Sequence, residues 1–382
     1  MDLMKVAVIY EWLSVISGAE RVLEQILECY PQADLFCTVD FLPEEDRGFL
    51  KGRLIQTSFI QTLPFAQRHF RNYLPLMPLA VEQHDLSAYD LVISNHHAVA
   101  KGVITGPDQL HVSYINSPIR YAWDLQHQYL KQSGLEKGPK SWAARIMLHY
   151  MRLWDTRTAN GVDAYIANSK FIARRIKKVY RRPSTVIHPP VDVDRFVPVE
   201  TKDSYYLAAS RMVPYKRMDL IATAFSMMPE RRLIMAGSGP ETPRIKALLR
   251  NLNAKNITLV EHQPQNELIS LLQKARAFIF SAEEDFGILP VEAMACGTPV
   301  IAYGKGGALD TIRGLSDPDP TGVFFNTQTT NSLIEAVEAF EREGSRIRFR
   351  SCRTQAENFS RERFRREFMN FIEEEWERHT KK

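Results

Sequence analysis

Two carboxylates, Glu284 and Glu292, stand eight residues apart around the stretch Asp285-Phe-Gly-Ile-Leu-Pro290. Pro290 suits the first turn of a helix and Gly297 its carboxyl-terminal stop, so the two acids bracket a helix start. A loop in that position turns backbone N–H groups and the positive helix end toward a ligand. Carboxylates also accept paired hydrogen bonds from neighbouring hydroxyls. A ligand carrying both phosphate and a vicinal diol satisfies loop and acids together, and a sugar nucleotide is such a ligand. The plainer alternative makes Glu284 a helix-start charge and Glu292 part of a solvated helix face.

Cations of matching chemistry lie upstream. Arg211 and Lys216 are five residues apart across the loop Ser210-Arg-Met-Val-Pro-Tyr-Lys216. They converge on one anion, arginine through a planar fork and lysine as a point charge, or they decorate a solvated surface. Gly237 belongs to the turn Gly237-Ser-Gly239 that closes the strand Arg232–Ala236. Without a third glycine this is no dinucleotide fingerprint, and nicotinamide binding is not supported. Gly18, in the turn Ser17-Gly18, lets the backbone approach a ligand or simply makes a turn. His96 and His97 follow the apolar run Tyr89–Ser94, where parallel folds place function and where a capping histidine also sits. The loop Asn116-Ser-Pro-Ile-Arg120-Tyr121-Ala-Trp123-Asp124 concentrates an arginine, aromatic rings and an acid. It makes a sugar or phosphate platform, or a packed aromatic loop.

The elements that position these residues alternate along the chain. Continuous apolar runs such as Lys5–Tyr10, Tyr89–Ser94, Val162–Ser169, Tyr205–Ala209 and Ala277–Ser281 read as buried parallel strands. Amphipathic runs such as Ala19–Glu28 and 142–160 read as helices between them. The fold class is α/β. The prolines of Ile187-His-Pro-Pro mark an interdomain connection, dividing 1–184 from 185–360, with the charged amphipathic helix 361–382 at the end. A chain of 382 residues gives each half room for a real core. A net charge of +4 does not argue for nucleic acid. The four cysteines, Cys29, Cys37, Cys296 and Cys352, lack metal-ligand spacing and fit reduced thiols. The chain passes directly into a strand pattern and has no run of membrane-spanning length, so an intracellular protein is expected. Asp192-Val-Asp194 falls in the linker and Asp317-Pro-Asp319 in a proline-rich loop, so both read as loop acids rather than metal ligands. Phe65–Pro78 mixes arginines with aromatics and reads as a core-facing helix and loop, or as a patch touching a membrane surface.

The string Glu284-Asp-Phe-Gly-Ile-Leu-Pro-Val-Glu292-Ala-Met-Ala-Cys-Gly-Thr-Pro-Val resembles the Glu-x7-Glu signature of retaining GT-B glycosyltransferases, specifically glycosyltransferase family 4. Ser210–Lys216 resembles the family's Ser-Arg-x-x-x-x-Lys, whose cations hold the nucleotide diphosphate. Ser17-Gly-Ala-Glu-Arg21 is similar to its Gly-Gly-x-Glu-Arg loop, with Ser17 replacing the first glycine. Ser94–Gly102 is similar to a segment whose cleft histidine matches His97, not His96. Asn116–Asp124 is similar to His-Ser/Thr-Pro-x-Arg-Tyr-Ala-Trp-Asp.

The resemblance implies a GT-B fold, two Rossmann-like parallel-sheet domains facing a central cleft, with the terminal helix crossing back to the first domain. It implies a retaining hexosyltransferase, mannose from GDP-mannose being the best match, acting on a glycan or lipid-linked saccharide in polysaccharide or glycolipid assembly. His97, Arg211, Lys216 and Glu284 would be catalytic. Gly18, Arg211, Lys216, Gly237, Glu284, Phe286, Gly287, Ile288, Leu289 and Glu292 would bind the donor, and Arg120, Tyr121, Trp123 and Asp124 the acceptor. No cofactor or metal is expected, and no nucleic-acid partner. The implied location is cytoplasmic, with membrane contact at the inner face an open alternative. A UDP-sugar-dependent transferase, a phosphorylase of the same fold and a non-catalytic nucleotide-sugar-binding subunit are the rival readings.

Overall fold

The computed structural model of the chain describes residues 4–261 and 263–381. It divides into two compact units, one running to Pro190 and resuming at Phe364, the other spanning Val191–Arg363. The first holds strands β1 (Val6–Leu13), β2 (Asp34–Asp40), β3 (Ile55–Thr57), β4 (Leu91–His96), β5 (Leu110–Ile115), β6 (Ala164–Ala167) and β7 (Thr185–Val186). They form one sheet in the order β3-β2-β1-β4-β5-β6-β7, every pairing parallel.

Strand β1 shows why the sheet is buried on both sides. Side chains alternate across a strand: Val6, Val8 and Tyr10 enter one core, Ala7 and Ile9 the other. The first core is closed by Val22, Leu23 and Ile26 of the helix Gly18–Cys29, and by Phe364, Phe368 and Ile372 of the helix Arg361–Thr380. That terminal helix is anchored by stacked Phe364 and Phe368 rings, 5.5 Å apart, and by the edge of Tyr114 on Phe364 at 5.8 Å. Met77, Val81, Met151 and Trp154 close the other face. Phe70 belongs to that core as well, its ring 5.6 Å from Trp12, whereas Phe65 is 79% exposed. The segment 65–78 therefore turns inward through Phe70 and Met77 and outward through Phe65, Arg68 and Arg71.

The second unit holds β8 (Tyr205–Ala209), β9 (Arg232–Ala236), β10 (Ile257–Val260), β11 (Ala277–Phe280), β12 (Val300–Tyr303) and β13 (Gly322–Phe325). Their order is β10-β9-β8-β11-β12-β13, again parallel throughout. The chain enters and leaves this unit side by side: the Val191 N–H donates to the Phe359 carbonyl (2.8 Å), and Val191 bridges to Ser360. Because Thr185–Val186 still adds a strand to the first sheet, the first unit runs on to Pro190.

Both sheets reverse strand order once, between β1 and β4 in the first unit and between β8 and β11 in the second. Ligands of open α/β sheets bind at the carboxyl ends of the strands flanking such a reversal. Among the described residues no helix is long and apolar enough to cross a membrane.

Candidate functional site

In the second unit the reversal brings the loops after β8 and β11 together. Lys216 from the first and Glu284 from the second form an ion pair, with both side chains largely buried. The loops are fastened to each other by Ser281, whose hydroxyl donates to the Lys216 carbonyl at 2.9 Å, and by Gln328, whose amide donates to the Ser281 carbonyl at 2.7 Å. Arg211, on the same loop as Lys216, is exposed and joins no ion pair among the described residues. It is the cation of the two left open to an incoming anion.

Glycines let the supporting loops close in. Gly237 has φ +126°, and a Cβ there would lie 2.0 Å from the Ser210 carbonyl oxygen, so only glycine lets the β9 turn lie against the β8 loop. Gly307 does the same behind the acidic loop: its N–H donates to the Glu284 carbonyl at 2.8 Å, and a Cβ would lie 2.3 Å from the Phe286 Cα. Gly306 and Gly307 are absent from the sequence-predicted site. The signal available was the glycine-rich run Gly304-Lys-Gly-Gly307 directly after β12.

The helix Ile288–Ala295 starts at this point, with Gly287 as its N-cap and half-buried Ile288 and Leu289 in its first turn. Phe286 is buried, its ring 5.5 Å from Phe359. Glu292 lies half-buried within the helix, and the helix start separates it from Glu284. The turn Cys296-Gly297 ends the helix, Gly297 taking φ +71°. Of the sequence-predicted donor residues, the structure thus gathers Arg211, Lys216, Gly237, Glu284, Phe286, Gly287, Ile288, Leu289 and Glu292 on the second unit. Gly18 opens the helix Gly18–Cys29 on the first.

The first unit's reversal carries a different set. Glu11, near the end of β1, has no exposed surface, and its carboxylate accepts four backbone N–H bonds from His97, Ala98, Val99 and Ala100 at 2.6–3.1 Å. Burial alone would raise this carboxyl. The His96 side chain, the positive influence of His97 and the backbone bonds outweigh it and push the carboxyl down to about 2. His97 is half-buried, with its ring edge-on to Trp12 at 4.8 Å and 6.1 Å from Tyr10. Burial pushes its pKa down, against the pull of Glu11 and Glu20, so the imidazole is neutral near pH 7. Arg120 is close enough to push it further the same way. Among the described residues His97 Nδ1, Ser117 Oγ and His96 Nε2 are buried and have no hydrogen-bond partner. Buried polar atoms are almost always paired, so open ones gathered at neighbouring strand ends point to a ligand.

The loop after β5 is less uniform than its composition suggests. Trp123 donates its indole N–H to Asp155 at 2.7 Å, Tyr121 packs near Tyr129 (5.9 Å), and Asp124 accepts from Arg175 at 2.6 Å. Asp155 itself holds the fully buried Lys101 at 2.9 Å and accepts from Tyr180. Arg120 lies within electrostatic reach of His97, Asp124 faces out, and Trp123 faces an internal ion pair. Both Asp-x-Asp strings are occupied by arginines: Asp192 by Arg361, Asp194 by Arg353 and Asp319 by Arg313. Among the described residues no group of three or more His, Cys, Asp or Glu is placed to hold a metal.

Residues 192–359 match the family described as "Glycosyl transferases group 1" and residues 16–195 the one described as "Glycosyltransferase Family 4". The chain belongs to glycosyltransferase family 4. Among curated relatives of this family 4 chain is the D-inositol 3-phosphate glycosyltransferase of Mycobacterium sp. (strain KMS), 28% identical over 180 residues, 42% of this chain and 41% of the relative. Another is the GDP-mannose-dependent monoacylated alpha-(1-6)-phosphatidylinositol monomannoside mannosyltransferase of Corynebacterium glutamicum, 28% identical over 179 residues, 40% of this chain and 47% of that one. The matched part thus spans under half the length of these relatives. Two solved structures show the fold to be GT-B. Anabaena Alr3699/HepE in complex with UDP gives a TM-score of 0.71 at 15% identity, over 97% of this chain and 100% of that one. Sucrose-phosphate synthase of Thermosynechococcus elongatus gives 0.72 at 17%, over 98% and 99%.

The backbone atoms facing Gly307 cannot move aside as a flexible side chain would. Gly307→Ala should cost about 1–3 kcal/mol of stability, while Gly48→Ala, where a Cβ meets nothing within 4 Å, should stay within about 0.5 kcal/mol of the parent. Chemical denaturation of the two variants side by side measures this, and equal midpoints would mean the loop yields freely.

Proposed function

We propose that this family 4 chain is a retaining glycosyltransferase that moves a hexose, with mannose from GDP-mannose as the donor, to a glycan or lipid-linked saccharide in the cytoplasm. The observation that carries the reading is the set at the second unit's strand reversal: Lys216 paired with Glu284, Arg211 exposed on the loop that carries Lys216, and a helix N-terminus flanked by two acids. A diphosphate meets two cations and backbone N–H groups there, while Glu284 and Glu292 supply acceptors for sugar and ribose hydroxyls. The Corynebacterium relative, named for GDP-mannose, favours a guanosine over the uridine nucleotide of the HepE complex.

In this mechanism the acceptor hydroxyl oxygen bonds to the anomeric carbon on the face from which the diphosphate oxygen departs. The hydroxyl proton passes to that leaving oxygen. Arg211 and Lys216 neutralise the charge that develops on the diphosphate, so no divalent ion is required. Neutral His97, with Nδ1 open, hydrogen-bonds the transferring sugar, and Arg120 and Ser117 serve the acceptor side.

We place membrane contact on the helix Pro139–Thr158 rather than on segment 65–78, whose Phe70 is buried. Trp142, Ile146, Tyr150 and Leu153 form one exposed apolar stripe on it, 70, 66, 43 and 60% exposed. No acid occurs from 139 to 154, and Lys137, Lys140, Arg145 and His149 border the stripe. An apolar stripe with basic flanks suits an anionic bilayer.

Glu292→Ala should lose a charge-assisted bond to ribose, weakening nucleotide binding by ~1.5–3 kcal/mol; calorimetry giving an unchanged affinity removes Glu292 from the donor site. With GDP-mannose and acceptor, the product's anomeric configuration should be retained by NMR, His97→Ala should depress turnover far more than nucleotide affinity, and EDTA should leave the rate unchanged. An inverted product, or activity lost to EDTA and restored by Mg²⁺, overturns the mechanism. Binding without transfer or hydrolysis favours the non-catalytic rival, and transfer to free phosphate the phosphorylase. For the membrane, liposomes containing phosphatidylglycerol should float wild-type chain and release Ile146→Glu/Leu153→Glu. Flotation undiminished by the double change would rule this face out.

A further inference from the structure

Glu11 has no part in the site read from the sequence, and its surroundings exclude the obvious chemical roles. A carboxylate offers about four lone-pair positions. All four are taken by the consecutive N–H groups of His97, Ala98, Val99 and Ala100, at 2.8, 2.6, 2.7 and 3.1 Å; His96 Nδ1 crowds the same carboxylate at 3.3 Å, and the residue has no exposed surface. A carboxylate so saturated and so enclosed has nothing left with which to attack an anomeric carbon or take a proton. What it does hold is the turn that starts at His97, because successive N–H groups converging on one anion fix the backbone they belong to.

The neighbours of Glu11 in β1 act on the same histidine. Trp12 meets the His97 ring edge-on at 4.8 Å and Tyr10 lies 6.1 Å from it. Tyr10 donates its hydroxyl to Glu20 at 2.6 Å, and the other Glu20 oxygen takes the Ser17 N–H (2.8 Å) and hydroxyl (2.5 Å). Three consecutive residues thus hold His97 by its backbone and by two sides of its ring, and link it to the Ser17-Gly18 turn. Among the described residues the ring's Nδ1 is left buried and without a hydrogen-bond partner.

We infer that Glu11 is a positioning residue for transfer: by clamping the amides of residues 97–100 it aims the open His97 ring at the sugar. The inference rests on the role given to His97 above. It differs from a general structural role in one respect, that loss of the clamp should matter only while His97 is present to be aimed.

The test is a double-mutant cycle with Glu11→Gln and His97→Ala, read as kcat with saturating nucleotide sugar, together with amide hydrogen exchange at residues 97–100. Glutamine keeps the shape but replaces two acceptor sites with donors. Glu11→Gln should lower kcat tenfold or more, leave nucleotide Kd within twofold, and speed exchange of the four amides by at least a hundredfold. On the His97→Ala background the same change should lower kcat by less than twofold. A full tenfold loss on that background, or unchanged kcat in a chain whose His97→Ala form is slow, overturns the inference while leaving the transferase reading intact. If His97→Ala itself leaves turnover untouched, the reading of His97 falls and the inference with it. Should Glu11→Gln not fold, Glu11→Asp, which keeps the charge but draws it back by one methylene, takes its place in the cycle, with a smaller loss that again vanishes without His97.

Discussion

A parallel strand covered on both faces has only its ends free for chemistry. In each sheet the strands next to the reversal begin with apolar side chains on both faces, so polar work is gathered toward the carboxyl end of the strand and the loop beyond it. Glu11 and His97 sit at such ends in the first unit, Ser210–Arg211 and Ser281–Glu284 in the second. The other features follow from that confinement. Loops after adjacent strands must approach closely to share a ligand, so glycine is required at Gly237 and Gly307, where a Cβ would strike backbone. Charges drawn away from water at these ends, half-buried or wholly enclosed, must be balanced before the ligand arrives.

The balance takes three forms. Glu11 is satisfied mainly by four backbone amides, with His96 Nδ1 at 3.3 Å as its one ring neighbour, a solution that leaves the His97 ring out of the pairing. Lys101 and Asp155 neutralise each other inside the unit, with Thr158, Tyr180 and Trp123 filling their remaining hydrogen-bond capacity. Removing either partner would strand a charge in the interior, a change that typically costs 3–5 kcal/mol. Lys216 and Glu284 are paired as well, but at a strand end and on a loop that also carries the exposed Arg211. A ligand with a diphosphate and hydroxyls offers each of them a new partner, so this pair can be exchanged without exposing an unpaired charge, whereas the internal pair cannot.

How much of this was legible depends on whether the cause is local. The strands, the helix bracketed by Pro290 and Gly297, and the Glu-x7-Glu spacing are written in a few consecutive residues, and the structure shows them where the sequence puts them. Glu11 was missed because a single acid inside an apolar run carries no local signal; its reason lies 86 residues away, in the amides it accepts. Gly307 was missed for the same cause, its constraint being the backbone of Phe286 rather than its own turn. Trp123 shows the converse. Its place in an aromatic loop suggests a platform, but the partner that engages its N–H, Asp155, comes from a helix 32 residues on. Periodicity marks the helix Pro139–Thr158, yet cannot say that its Trp142 and Ile146 face outward while Met151 and Trp154 face in.

The adjacent histidines make the same point at the scale of one peptide bond. Neighbouring side chains on an extended strand point to opposite faces, so His96 and His97 cannot share a role. His96 closes β4 with no exposed surface, its Nδ1 3.3 Å from Glu11 and 3.3 Å from the Lys101 amide nitrogen. It is bound into the same clamp as the turn. His97 is the first residue beyond the strand, where the backbone begins to curl around the Glu11 carboxylate, and the curl carries its ring to Trp12 and Tyr10 and leaves it half-buried, whereas His96 is fully enclosed. Shifting the end of the strand by one residue would exchange the two. The burial of β1 and β4 fixes that end: Tyr10 pairs in register with Asn95, the last position of that ladder, and Glu11 comes next. The register of an apolar sheet thus decides which of two identical side chains is free to meet a ligand.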